Sequence, residues 1–231
     1  MKLDINKVHS VICSNESLME IYKWYLTHNT SISLPYHNIN KMLGILYHII
    51  CIYENSRKPD TDYGFSLKES DLFILMVSGI FCLHNNSGGK YLKVTDAENA
   101  SSGLESCMLS FFDENDSTKN IIDICKSNIY AAVCNSSVQH DSNLTIHQSI
   151  LSECMALDIF YDDFLISGLI GLYSEIGYGE ELVIFISRML KDIIANIEKF
   201  NLKYSRNLWN AYGTELMENV NNFSKIFLQN K

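Results

Sequence analysis

The sequence predicts an all-α fold, and three observations carry that expectation. Four capping-box signatures, Ser17-Leu18-Met19-Glu20, Ser66-Leu67-Lys68-Glu69, Thr95-Asp96-Ala97-Glu98 and Thr145-Ile146-His147-Gln148, each stand before an apolar pattern of helical period. In this motif the hydroxyl accepts from the third helical amide, and the acid or amide side chain reaches back. Only two prolines occur, Pro35 and Pro59, and both lie outside the periodic segments. Alternating strand-like stretches are absent.

Taken in order, the Ser17 box opens a helix near 17–28. A second helix is expected near 37–54, starting within the Tyr36–Lys41 stretch. The Ser66 box opens a third near 67–84. Its apolar run, Leu72 to Val77 and on to Leu83, is about a dozen residues, too short to span a bilayer and suited to a buried helix. The Thr95 box opens 96–112, and the Thr145 box opens 146–158. Apolar residues of helical period also place helices near 118–133, 162–176, 180–200 and 214–228. In the 180–200 segment the stripe Leu182, Phe185, Ile186, Met189, Ile193 and Ile197 is expected to pack on the rest of the chain. Phe223, Ile226 and Phe227 offer a second apolar face. No Gly/Ser or Pro linker divides the chain, so one domain is expected over 1–231, with a core over 1–179 and a helical extension over 180–231.

Composition narrows the function classes. The 231 residues are 47% hydrophobic and 19% charged, as in a folded globular chain. The net charge of −9 argues against a general nucleic-acid-binding surface. Seven scattered cysteines, an odd number with no Cys-x-x-Cys pair, suit reduced thiols in a cytosolic compartment. The N-terminal Met1-Lys2-Leu3-Asp4 lacks a signal-peptide apolar core. No Walker loop, Gly-x-Gly-x-x-Gly or Gly-x-Ser-x-Gly occurs, and His140 and His147 are too loosely spaced to argue for zinc.

Three stretches resemble a known family. Leu34-Pro35-Tyr36-His37-Asn38-Ile39-Asn40-Lys41 is similar to a Tyr-His-Asn-x-x-His motif. Ser78-Gly79-Ile80-Phe81-Cys82-Leu83-His84-Asn85-Asn86-Ser87-Gly88-Gly89-Lys90, followed by Asp96-Ala97-Glu98-Asn99, is similar to Ala-Ala-Ile-Phe-His-Asp-x-x-His-Ser-Gly-Gly-Lys followed by Asp-x-Glu-Asn. Ile150-Leu151-Ser152-Glu153-Cys154-Met155-Ala156-Leu157 is similar to Ile-Leu-Arg-Asp-Ala-Asp-Leu. In this order and spacing, the stretches resemble the small phage and bacterial HD-domain metal-dependent phosphohydrolases, over roughly residues 17–176. The resemblance implies an HD-like helical bundle in a bacterial cytoplasm.

The resemblance also implies four metal-ligand positions, and this chain replaces all four, with Lys41, Cys82, Leu83 and Met155. Lysine repels a divalent ion, leucine offers no lone pair, and a thioether is a poor partner for Mg²⁺ or Mn²⁺. Without the metal there is neither activated water nor a Lewis acid. No metal and no cofactor are therefore expected. A shifted site on His84-Asn85 is the alternative. His37 sits where related enzymes place a general acid, or it caps or packs the start of its helix. Lys90 and Lys93 either meet a phosphate or are solvated. Asp96 and Asn99 are expected at a helix N-terminus, and Gly88-Gly89 in a tight turn. Lys41 either snorkels to solvent or points inward and pairs with Glu153 or Asp158.

The expected function is that of an inactive HD-like pseudoenzyme, a protein-interaction, regulatory or assembly module with a protein partner or a second copy. The alternatives are an active phosphohydrolase with a rebuilt site, and a sensor that binds a nucleotide-like ligand in the old pocket without hydrolysis. His37, Lys90, Asp96 and Asn99 are the candidate ligand-binding residues. Neither nucleic acid nor membrane is expected as a partner.

Overall fold

The computed structural model describes residues 1–59, 64–88, 93–134, 144–177, 179–197 and 200–228. Ten α-helices and three tighter or looser helical turns make up the described chain, with no strand among the described residues. The chain is all-α.

Two helices form the centre because they are apolar nearly all round. Helix α3 (Ile39–Ser56) buries Met42, Leu43, Ile45, Leu46, Ile49, Ile50 and Ile52, and helix α4 (Glu69–Phe81) buries every residue from Leu75 to Phe81. A helix without a polar face is stable only when other elements cover it. The two approach closely at Gly79, where an added Cβ would stand 2.8 Å from Leu46 and 2.9 Å from Ile49. A side chain there would force the Leu46 and Ile49 side-chain ends to shift.

The covering elements follow from their caps and stripes. Helix α1 (Ile5–Cys13) starts at Asp4, whose carboxylate accepts from Lys7 N at 3.1 Å, and it buries Val8 and Ile12. Helix α2 (Glu16–His28) is capped by Asn15, which accepts from Leu18 N at 3.0 Å. A 3₁₀ turn, Thr30–Ser33, leads into α3. Helices α5 (Lys93–Phe111) and α6 (Asp116–Cys134) pack against each other, and α6 also packs on α4 and on α7 (Ile146–Cys154). A 3₁₀ turn (Leu157–Phe160) and a π-helical turn (Phe164–Gly168) then lead into α8 (Leu169–Ile176). Helices α9 (Leu182–Ile197) and α10 (Lys203–Leu228) complete the chain. Phe185, Ile186 and Leu190 of α9 are buried, as are Tyr204, Leu216 and Val220 of α10. No described helix is long and apolar enough to cross a membrane.

Several expectations about helix ends need correction. Of the four capping boxes, only that at Thr145 forms: its hydroxyl accepts from Gln148 N at 3.3 Å and Thr145 N donates to the Gln148 side chain at 2.9 Å. Asn15 caps in place of Ser17. Helix α4 begins after Lys68, whose amide donates to Asp71 at 2.7 Å, so Ser66 stays outside. Thr95 lies inside α5. Helix α10 begins at Lys203, well before the expected 214, and α1 was not anticipated. Of the expected apolar tail faces, Phe223 packs on the core, whereas the side chains of Ile193, Ile197, Ile226 and Phe227 lie outside the described residues.

Candidate functional site

The Pro35–Asn38 turn brings two charged residues of distant chain segments to the start of α3. Asn38 makes the turn and caps the helix: its side-chain oxygen accepts from Asn40 N at 2.9 Å and Lys41 N at 3.3 Å, and its amide donates to Pro35 O at 2.9 Å. That cap sets where Tyr36, His37 and Lys41 point.

Lys41 points inward, and its side chain is only 5% exposed. Its ammonium forms an ion pair with Asp158 Oδ2 at 2.6 Å and donates to Met155 O at 2.6 Å and to the Tyr36 hydroxyl at 2.9 Å. The Tyr36 hydroxyl in turn donates to Asp158 Oδ2 at 2.8 Å. A buried ammonium is tolerated only when an anion and further acceptors replace its hydration, and these three oxygens do so. Burial and the Asp158 charge drive the Tyr36 phenol well above its ordinary range, so it stays protonated and able to donate. Asp158 is thus the partner of Lys41. The other expected partner, Glu153, instead accepts from the backbone amides of Asn201 at 2.7 Å and Leu202 at 3.1 Å.

The four positions that the sequence resemblance pairs with metal ligands make other contacts. Lys41 and Met155 meet through the Met155 carbonyl. Cys82 is buried with its thiol directed to Gly79 O at 3.1 Å. Burial pushes this thiol up to about 12, against the opposing charge of Lys41. Leu83 is core, and its carbonyl accepts from the Ser31 hydroxyl at 2.6 Å. Among the described residues, no group of three or more His, Cys, Asp or Glu could hold a metal ion.

His37 faces a different partner. Glu175 of α8 accepts from His37 N at 2.8 Å, from Tyr36 N, and from His37 Nδ1 at 2.5 Å. Burial alone would raise the Glu175 carboxyl. The His37 ring and the two amides outweigh it and hold the carboxyl below its ordinary value. An ionised carboxylate only accepts, so the proton of His37 lies on Nδ1 and Nε2 is the nitrogen left to other contacts. Glu175 was not legible in the sequence as a partner of His37. The one signal for it is a lone acid within the apolar α8.

Of the remaining candidates, Asp96 sits in the first turn of α5. It is buried and accepts from Ser87 N at 2.9 Å and from the Ser87 hydroxyl at 3.1 Å. It fastens the turn after α4, where Gly88 has φ of 63°, a value glycine adopts without strain. Asn99 lies a turn further along α5, half-buried, and not at the N-terminus as expected. Lys90 and Gly89 lie outside the described residues, and Lys93 is the exposed first residue of α5. His84 and Asn85 belong to another corner, where His84 lies among Trp24, Tyr25 and Phe81.

A second buried histidine lies near Lys41. His48 is fully buried between two tyrosines, with Nδ1 3.0 Å from the Tyr204 hydroxyl and Nε2 3.0 Å from the Tyr161 hydroxyl. Burial, helped by the Lys41 charge, lowers it to about 3. Beside the Lys41–Asp158 pair opens a cleft of about 620 Å³, walled by Tyr36, Lys41, Asp158 and Tyr161 together with Phe164, Ser167 and Gly168 of the π-helical turn. π-Helical turns recur at functional sites.

No family model, no curated protein and no solved structure matches the chain.

Proposed function

We propose that this chain is a non-catalytic helical binding module, an HD-like pseudoenzyme that acts on a protein partner or a small ligand. The observation that carries this reading is the Lys41 ammonium inside a shell of Asp158, Tyr36 and the Met155 carbonyl. By the sequence resemblance, Lys41 and Met155 stand where two metal ligands would converge. A fixed positive charge there already neutralises the Asp158 carboxylate, and a divalent ion would have to displace it. The packed Cys82 and Leu83 side chains support the same reading, because they fill space rather than coordinate.

The cleft beside the pair favours a small polar ligand as one thing the module binds. Its volume lies within the range of small-molecule sites, and its walls mix aromatic rings with hydroxyl, amide, ammonium and carboxylate groups. A nucleotide-like compound is the ligand class the resemblance suggests.

Metal content decides the first point. Protein purified with Mn²⁺, Mg²⁺ and Zn²⁺ present should carry well under one equivalent by elemental mass spectrometry. Near-stoichiometric metal would sink the pseudoenzyme reading. Melting curves taken with a nucleotide panel decide the second: stabilisation without product formation is expected of a sensor. Turnover of any nucleotide would instead make the chain an enzyme.

A further inference from the structure

Three side chains where α2 ends against the turn after α4 carry buried polar atoms without a hydrogen-bond partner among the described residues. They are the Tyr25 hydroxyl, the Asn29 amide nitrogen and His84 Nδ1. Their residues are 0%, 7% and 2% exposed. The surrounding hydrogen bonds fix what each atom can do.

The backbone N–H of Thr30 donates to Asn85 Oδ1 at 2.9 Å, which orients that amide unambiguously. Its nitrogen then lies 3.1 Å from His84 Nε2. An amide nitrogen only donates, so Nε2 accepts, and the neutral ring carries its proton on Nδ1. Asn29 is fixed in the same way. Its oxygen accepts from the backbone N–H of Ser31 at 3.2 Å and of Asn85 at 2.8 Å. Its nitrogen is therefore a donor. The Tyr25 hydroxyl, which can donate or accept, lies close enough to the Asn29 amide to be influenced by it, though not at hydrogen-bonding geometry. The Tyr25 and His84 rings stand 5.8 Å apart. One corner thus holds two obligate donors and one adaptable hydroxyl.

The geometry points to a binding site for a single water-sized hydrogen-bond acceptor held by Tyr25, Asn29 and His84. A water molecule accepts from His84 Nδ1–H and from Asn29 Nδ2–H and donates to the Tyr25 oxygen, the three bonds usual for a buried water. A halide accepts from all three groups. Trp24 and Phe81, with ring centroids 5.7 and 5.5 Å from that of His84, place apolar surface beside the corner. The guest would couple the last turn of α2 to the turn after α4.

The test uses the full chain, ¹⁵N-labelled, in chloride-free buffer near neutral pH. Nitrogen shifts should show His84 as the Nδ1–H tautomer. Its N–H and the Asn29 amide protons should show cross-relaxation with a long-lived water. Adding chloride or bromide at constant ionic strength identifies the other source: for a halide the water signal is lost and the melting temperature rises. In Tyr25→Phe, which keeps the ring and removes one of the guest's partners, the residence of either guest should shorten. An Nε2–H tautomer overturns the site. So does an Nδ1–H tautomer with neither bound water nor halide response, and so does an unchanged residence in Tyr25→Phe.

Discussion

Acidification from about pH 7.5 to about pH 5 should cost this protein a large part of its stability, through two buried histidines. Burial is the first cause in both cases. It lowers His48 to about 3, with the Lys41 charge adding to the effect, and lowers His84 to about 4, with His28 adding. In the unfolded chain each returns to about 6.5. The unfolded state therefore binds more protons below that value, and stability falls as pH drops from about 6.5 towards the folded values. At pH 5 the unfolded histidine is protonated and the folded one still neutral, a gap of about 1.5 pH units and about 2 kcal/mol for each. Together they remove about 4 kcal/mol, against a typical total of about 5–15 kcal/mol. Glu175, the buried acid held below its ordinary value, has the opposite pH logic. Its contribution is present above the unfolded carboxyl value and is lost only as pH falls below about 4.5, outside this window. The assay is urea unfolding followed by tryptophan fluorescence. With a slope of about 3 kcal/mol per molar, the midpoint should drop by about 1.3 M. His84→Gln should remove about half of that drop. A midpoint that moves by less than about 0.2 M would refute the argument, since it would mean that the two rings can be protonated in place.

Lys41→Met should destabilise by about 3–5 kcal/mol, because Asp158 is left buried without its cation; Lys41→Met with Asp158→Leu should recover most of that loss, and urea midpoints measure both. Asn15→Ala and Thr145→Ala should each cost about 1 kcal/mol in thermal unfolding, whereas Ser17→Ala and Ser66→Ala, whose hydroxyls do not cap, should cost no more than about 0.3 kcal/mol. Native thiol titration should modify the exposed Cys13 first, while Cys82, Cys107 and Cys125, which burial pushes up to about 12, react only on unfolding. Early modification of Cys82 would contradict its packing.

Much of the fold was legible because apolar period is a local property. The central helices announce themselves as long apolar runs, and α5 to α7 lie close to where their periodicity puts them. Caps are less legible because several polar residues near a helix start compete, and backbone geometry chooses among them: Asn15 outranks Ser17, and Asp71 serves α4 from inside. The first half of α10 escaped because its inward side is built from Tyr204, Leu208, Trp209 and Tyr212 rather than from an aliphatic stripe. At the candidate site, a lysine that points inward from an apolar helix requires an anion, and that requirement left Glu153 and Asp158 open; the structure pairs it with Asp158. Glu175 meets the His37 ring and collects two backbone amides besides, and main-chain donors leave no mark in a sequence. His48 left a faint one, a single imidazole in an apolar helix, but its two tyrosines are 113 and 156 residues away.

The bonds between Glu153 and the amides of Asn201 and Leu202 bear on how this chain can be divided. Residues 180–231 read as an extension, the natural segment to trim to reach a smaller unit. Trimming it would remove two donors from a carboxylate that is 3% exposed at the end of α7, and would strip the Tyr204 hydroxyl from His48. The segment that looks most dispensable supplies the polar partners of the interior it covers. Two genes cut at residue 180 should therefore yield fragments that are soluble only when expressed together.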